Sequence, residues 1–290
     1  RTLRRLRPAG PVSPLVEIQP GDATRPALFL VHPLGGHVLC YLRLARQLGR
    51  DQPVYGLQDP NVHQTGEIRF DLGEIVDQYA AALRSAQPRG PYRLGGWSVG
   101  GVLAQELACR LEEEGEEVAL LLLIDSLPRE TAANAAERSD DDAGLLAWFA
   151  GQLHVPLAGG DGLTLEQRVD AVLEAARAAG RLPPDFEADQ AHRIFALYLT
   201  ERLALRGHMP RPCACPIVLI RAADGVNEEK ETGQEIGLGW REASRADPEI
   251  VIVPGSHHAL MEEPHVLALA REIRARLDAT ADRGQSGGNR

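Results

Sequence analysis

Short runs that are apolar at nearly every position alternate along this chain with longer runs that are apolar at every third or fourth. The first kind reads as strand buried on both faces, and the second as amphipathic helix packed on a sheet. Ala27 to Val31 is a strand by this rule, and His37 to Leu48 carries helical spacing. Val54 to Leu57 is a short strand. Asp71 to Ser85 follows as a helix with Leu72, Ile75, Tyr79 and Leu83 on one stripe. Tyr92 to Leu94 predicts a strand and Val99 to Glu114 a helix. Val118 to Ile124, VALLLLI, predicts a central strand. Ile217 to Ile220 and Ile250 to Val253 repeat that character, and Pro264 to Leu277 predicts a closing helix opened by proline. Strand and helix in alternation give an α/β fold, a mostly parallel central sheet flanked by helices.

The rhythm breaks from about 128 to 216. Helical spacing recurs there at Gly144 to Leu153, Thr164 to Ala179 and Asp189 to Arg206, with no strand pattern. An all-helical insertion after a strand end reads as a lid, with TAANAAE and Asp140-Asp141-Asp142 as its hinge or surface loop. Residues 1–25 begin Arg-rich and turn Pro-rich (Pro8, Pro11, Pro14, Pro20), the composition of a linker. Residues 282–290, DRGQSGGNR, read as a disordered tail. The expected domain therefore spans 26–281.

Composition narrows the function. The 290 residues are 44% apolar, ample for a core, and carry a net charge of −10. An acidic chain lacks the basic surface that nucleic acid requires. No run approaches the roughly 20 apolar residues of a membrane span, and the basic N-terminus lacks a signal core. These features suit a cytoplasmic protein. Cys40, Cys109, Cys213 and Cys215 have no disulfide or zinc spacing, so no metal is expected. The acidic run Glu112-Glu113-Glu114, Glu116-Glu117 reads as the solvated end of a helix.

Candidate chemistry gathers at the predicted strand ends. Gly96-Trp97-Ser98-Val99-Gly100 fits a Gly-x-Ser-x-Gly nucleophile elbow between a strand and a long helix, the pattern of the α/β-hydrolase fold. Serine needs a base, and the base needs an orienting acid. Asp125 ends the VALLLLI strand, and Asp224, in IRAADG after a later strand, is its rival; either could instead be a turn residue. His257, in PGSHHALM, is the candidate base, favoured over His258 because Gly255 frees the backbone two residues earlier. His32, His37, His154, His192 and His208 carry no comparable pattern. His32-Pro33-Leu34-Gly35-Gly36 follows the first strand, where such folds place a backbone donor for a developing oxyanion. Leu34 and Val99 are the expected donors. Trp97 either packs under the elbow or lines the pocket. The apolar load of the insertion, with Trp148, Phe195 and Tyr198, suggests a substrate pocket.

LFLVHPLGGHVLCYLRLARQL, QPVYGLQ, RGPYRLGGWSVGGVLAQELACRLEEEGEEVALLLLIDS and VPGSHHALMEEPHV resemble the type I thioesterase domains of nonribosomal peptide synthetases and modular polyketide synthases. The resemblance covers roughly residues 14–278 and is weakest in the insertion. It implies Ser98 as acylated nucleophile, Asp125 as acid and His257 as base. It also implies an upstream carrier-protein domain as partner. The substrate would arrive as a thioester on that carrier's phosphopantetheine, with no cofactor bound by the chain itself. The ester on Ser98 would then be released by hydrolysis or macrocyclisation. One departure stands out: the family usually has an aromatic residue where this chain has His258. A stand-alone serine esterase and a non-catalytic acyl-binding module are the competing readings. Activity confined to carrier- or thiol-bound chains separates the first, and fluorophosphonate labelling the second.

Overall fold

Seven strands form one sheet in the order β1-β3-β2-β4-β5-β6-β7. The computed structural model describes residues 13–64, 66–128, 142–153, 155–157, 162–181, 188–232, 236–237 and 239–286. The strands are β1 (Leu15–Gln19), β2 (Leu28–Val31), β3 (Val54–Leu57), β4 (Tyr92–Trp97), β5 (Val118–Ile124), β6 (Ile217–Ala222) and β7 (Glu249–Val253). Only β1 runs antiparallel; every other neighbouring pair is parallel. Parallel pairing puts the carboxyl ends of β2, β4, β5 and β6 on one edge, where such sheets carry their sites.

The central strands are apolar on both faces because helices cover both. All of Leu121–Ile124 are fully buried. Each such side chain contributes about 2 kcal/mol relative to exposure. The sheet carries helices α1 (Tyr41–Gln47), α2 (Leu72–Ala86) and α3 (Val99–Glu113). Ile75, Val76, Tyr79 and Leu83 make the buried stripe of α2, and its start is capped by Asp71, which accepts from the Glu74 amide at 2.9 Å. Such a cap contributes about 1 kcal/mol.

The chain divides into two compact units, with residues 67–70 and 129–208 forming the second. Within it lie α4 (Asp142–Gln152), α5 (Leu165–Ala178) and α6 (Ala188–Leu205), close to the three helices expected. Thr164 and Gln167 close a capping box at the start of α5. Met209 onward rejoins the sheet unit, so the helical unit ends earlier than the expected 216. The sheet unit finishes with α7 (Ala223–Thr232) and α8 (His265–Ser286).

Two terminal expectations are corrected. Residues 15–19, read as linker, form β1, because Leu15–Gln19 finds an antiparallel partner in β3. The closing helix runs past Leu277 to Ser286, into the stretch expected as tail. An Arg274–Asp278 pair one turn apart supports that extension. Residues 1–12, 129–141 and 287–290 lie outside the described residues, so most of the expected linker, all of the hinge segment but Asp142, and the last four tail residues do too. Among the described residues no helix is long and apolar enough to cross a membrane.

Candidate active site

Ser98 stands between β4 and α3 with φ 58° and ψ −128°, a conformation costly for a residue with a Cβ. The surroundings hold it there. Its N–H donates to the Ile124 carbonyl at 3.0 Å, extending the β4–β5 ladder. The flanking glycines leave no room for side chains. A Cβ on Gly96 would lie 2.1 Å from the Gly100 carbonyl carbon, and one on Gly100 would lie 2.4 Å from the Val31 carbonyl oxygen. The start of α3 is thus pressed against the end of β2 and the His32–Gly36 loop. Val99 is the first residue of that helix.

Asp125 follows β5 directly and also has a positive φ, 43°. Its N–H donates to the Ile220 carbonyl at 2.7 Å, so β6 fixes its backbone. Three donors surround the carboxylate. The Ala222 amide reaches Oδ1 at 3.0 Å and Arg221 Nε reaches the same oxygen at 3.1 Å. His257 Nδ1 reaches Oδ2 at 2.8 Å. Burial pushes the Asp125 carboxyl pKa up. The His257 hydrogen bond and charge, the Ala222 amide and the Arg221 charge outweigh it and hold the group down at about 2. The carboxylate is therefore ionised at neutral pH. As an acceptor it requires a proton on His257 Nδ1, which leaves Nε2 as the ring's basic nitrogen.

His257 lies four residues beyond β7. The turn before it depends on Gly255, whose φ is 108° and whose Cβ would sit 2.8 Å from the His265 ring. The His257 imidazole packs on Trp97, ring centroids 5.2 Å apart, and Trp97 immediately precedes Ser98. His258 is exposed and meets His257 edge-on at 5.1 Å. Asp224 is also exposed. It lies in the first turn of α7, its N–H donating to the Gly255 carbonyl at 3.2 Å, while His257 Nδ1 is engaged by Asp125.

Residues that the motifs do not mark complete the arrangement. Arg221 is buried at the end of β6 and donates to both Asp125 and the Ile236 carbonyl. Tyr41, fully buried on α1, donates its hydroxyl proton to the Val31 carbonyl at 2.6 Å and accepts from the Trp97 N–H at 2.9 Å. That one hydroxyl fastens the end of β2 to the end of β4 where their direct pairing stops. An arginine inside the apolar run IVLIRA was the sequence signal for a buried ion pair. Nothing in the sequence marked Tyr41.

Among the remaining candidates, Phe195 and Tyr198 belong to the helical unit. In the helical unit Phe195 packs edge-on against Phe149 at 5.6 Å, and Tyr198 is buried nearby on α6. The placement of Trp148's side chain and of His154 lies outside the described residues. His192 pairs with Asp170 at 2.7 Å. All four cysteines are free thiols.

Comparison with known proteins gives a consistent picture. The family profile described as "Thioesterase domain" matches residues 26–277. The dimodular nonribosomal peptide synthase of Bacillus subtilis (strain 168) is 40% identical over 126 residues, 43% of this chain and 5% of that protein. The protein named inactive atromentin synthetase invA4, from Paxillus involutus, is 33% identical over 281 residues, 92% of this chain and 28% of that protein. Among solved structures, holo-AB3403, a four-domain nonribosomal peptide synthetase bound to AMP and glycine, superposes with a TM-score of 0.77. It is 31% identical, over 91% of this chain and 20% of that one. The chain thus spans less than a third of the length of these relatives.

Proposed function

The chain belongs to the thioesterase domain family, and from that premise we propose that it releases an acyl chain from a carrier protein through an ester on Ser98. The observation that carries this reading is the Asp125–His257 hydrogen bond at 2.8 Å, with the same imidazole packed on the residue before the strained serine. In this mechanism Nε2 of His257 takes the Ser98 hydroxyl proton as Oγ attacks the thioester carbonyl. The amides of Leu34 and Val99 stabilise the resulting oxyanion, and Val99 adds the positive end of the α3 dipole. Collapse expels the phosphopantetheine thiol, which receives the proton from His257. A second nucleophile, water or an amine or hydroxyl of the same acyl chain, then gives its proton to His257 and attacks the ester, displacing Ser98 Oγ, which takes that proton back from His257. Asp125 stays ionised throughout and stabilises the imidazolium. The upstream carrier domain is the partner this reading requires, and the multidomain synthetases among the relatives support it.

The test is Ser98→Ala with a carrier-bound acyl thioester and with a fluorophosphonate probe. Wild type should gain the mass of the acyl chain on Ser98 and of the phosphonyl group on the same residue. The variant should gain neither and should keep its melting temperature. Labelling of the variant at the wild-type rate would move the nucleophile elsewhere.

A further inference from the structure

His32 follows β2 and is fully buried, its N–H continuing the ladder to the Leu57 carbonyl at 3.0 Å. Its ring carries two contacts that fix its tautomer. Nδ1 lies 2.8 Å from the Pro33 carbonyl oxygen, and Nε2 lies 2.6 Å from the Tyr79 hydroxyl on α2. A carbonyl only accepts, so Nδ1 carries the proton. Burial lowers the ring's pKa against the nearby Asp59 charge. The neutral ring therefore accepts at Nε2, and Tyr79 donates. The Pro33 carbonyl takes a second donor, the Gly36 N–H at 3.3 Å.

The consequence lies on the far side of the same peptide. The Pro33–Leu34 bond is trans, so its N–H points opposite to its carbonyl. Donors holding the Pro33 oxygen toward the buried His32 ring turn the Leu34 N–H the other way. We propose that His32 and Tyr79 are positioning residues that lock the Pro33–Leu34 peptide so that Leu34 presents its N–H to the oxyanion. This rests on the reading of Ser98 as nucleophile and Leu34 as donor. The chain of hydrogen bonds runs Tyr79 Oη–H to His32 Nε2, then His32 Nδ1–H to Pro33 O.

Two double variants isolate the clamp. His32→Leu with Tyr79→Phe removes the His32–Tyr79 hydrogen bond from both ends at once, whereas either single change leaves one end of that bond without the other. His32→Asn with Tyr79→Phe keeps one donor where Nδ1 stands. The readout is Ser98 labelling by an alkyl fluorophosphonate, whose phosphoryl oxygen uses the same donors, resolved into the inactivation rate constant and the reversible binding constant. Loss of one whole oxyanion donor costs about 10²- to 10³-fold, so a misaimed donor should cost about 10- to 100-fold. We expect that loss in the rate constant for the Leu/Phe variant, with the binding constant unchanged, and recovery to within about threefold of wild type in the Asn/Phe variant. Equal rate constants in the two double variants would overturn the proposal. If the Leu/Phe variant loses cooperative unfolding, Tyr79→Phe alone decides. It should slow labelling several-fold at an unchanged melting temperature, and an unchanged rate would overturn the proposal. Wild type that is not labelled at Ser98 would instead overturn the nucleophile assignment. Wild type labelled at Ser98 beside unaffected variants would sink the clamp alone.

Discussion

Asp125→Asn tests the orientation of the base most directly. The wild-type carboxylate accepts from His257, Ala222 and Arg221 at 2.8, 3.0 and 3.1 Å. Asparagine has one acceptor oxygen and one amide that only donates. If the oxygen faces Ala222 and Arg221, the NH₂ faces His257 Nδ1. The ring must then present a lone pair at Nδ1 and carry its proton on Nε2, where it cannot accept from Ser98. If the amide is turned over, the NH₂ points at two donors, which is worse. The first orientation wins, and it disables the base without disturbing the packing. Such a tautomer trap costs about 10⁴-fold in the acylation rate. Holding the carboxyl at about 2 rather than the ordinary 3.8 corresponds to about 2 kcal/mol of stability, and most of that is lost as well. The assay is the pre-steady-state acylation of Ser98 beside an equilibrium denaturation curve. Asp224→Asn is the control, since that exposed residue should change acylation by less than about threefold. A variant at Asp125 that acylates within tenfold of wild type would refute the argument, as would a larger loss at Asp224.

Three further outcomes follow from the same geometry. Because the Asp125 pKa is depressed in the folded state, its contribution is complete above the unfolded value near 3.8 and disappears as pH falls toward about 2. Urea midpoints of wild type should therefore drop more steeply over that window than those of Asp125→Asn, and parallel curves would contradict the assignment. Gly255→Ala combines a positive φ with a Cβ 2.8 Å from the His265 ring, so it should lower stability by roughly 1–3 kcal/mol and slow Ser98 labelling, read by thermal melts and probe kinetics. Tyr41→Phe leaves the Val31 carbonyl and Trp97 amide without their shared partner and should cost about 1–3 kcal/mol in denaturant stability; a change under 0.5 kcal/mol would mean water replaces the hydroxyl.

The parts of this fold that periodicity could reveal were those where one segment decides its own state. VALLLLI can only be a strand between two covered faces, and the helical spacing from Thr164 locates α5, which starts at Leu165. β1 was hidden because Pro14 and Pro20 bracket it and its side chains are only half-buried. Its state depends on β3, which is remote in sequence, and an edge strand tolerates flanking proline. The apolar surplus of the insertion suggested a pocket; Phe195 and Phe149 meet edge-on within the helical unit, and composition alone does not tell such packing from ligand contact. At the candidate site, the placement of Ser98, Asp125 and His257 was legible because each ends a strand or follows a marked turn. Of their supports only Arg221 left a trace, as an arginine inside an apolar run, because Tyr41 and Tyr79 act through contacts between distant elements.

Those supports share a physical logic. A parallel sheet stops pairing where its strands diverge, and the groups just past that point lose their ladder partners. This chain replaces the missing partners one at a time. Tyr41 joins Val31 to Trp97, Ile124 holds the Ser98 amide, Ile220 holds the Asp125 amide, and Arg221 with Ala222 holds the Asp125 carboxylate. Each bond satisfies a polar group at a strand end that is at least half-buried, so the arrangement is stabilising on its own account. Ser98 and Asp125, the two non-glycine residues of positive φ among the described residues, sit inside that cross-strand lattice, with their amides bonded to the neighbouring strand. Backbone strain at a nucleophile persists only where its surroundings over-determine it. The same bonds that replace the ended ladder therefore hold the serine and the acid in their strained conformations.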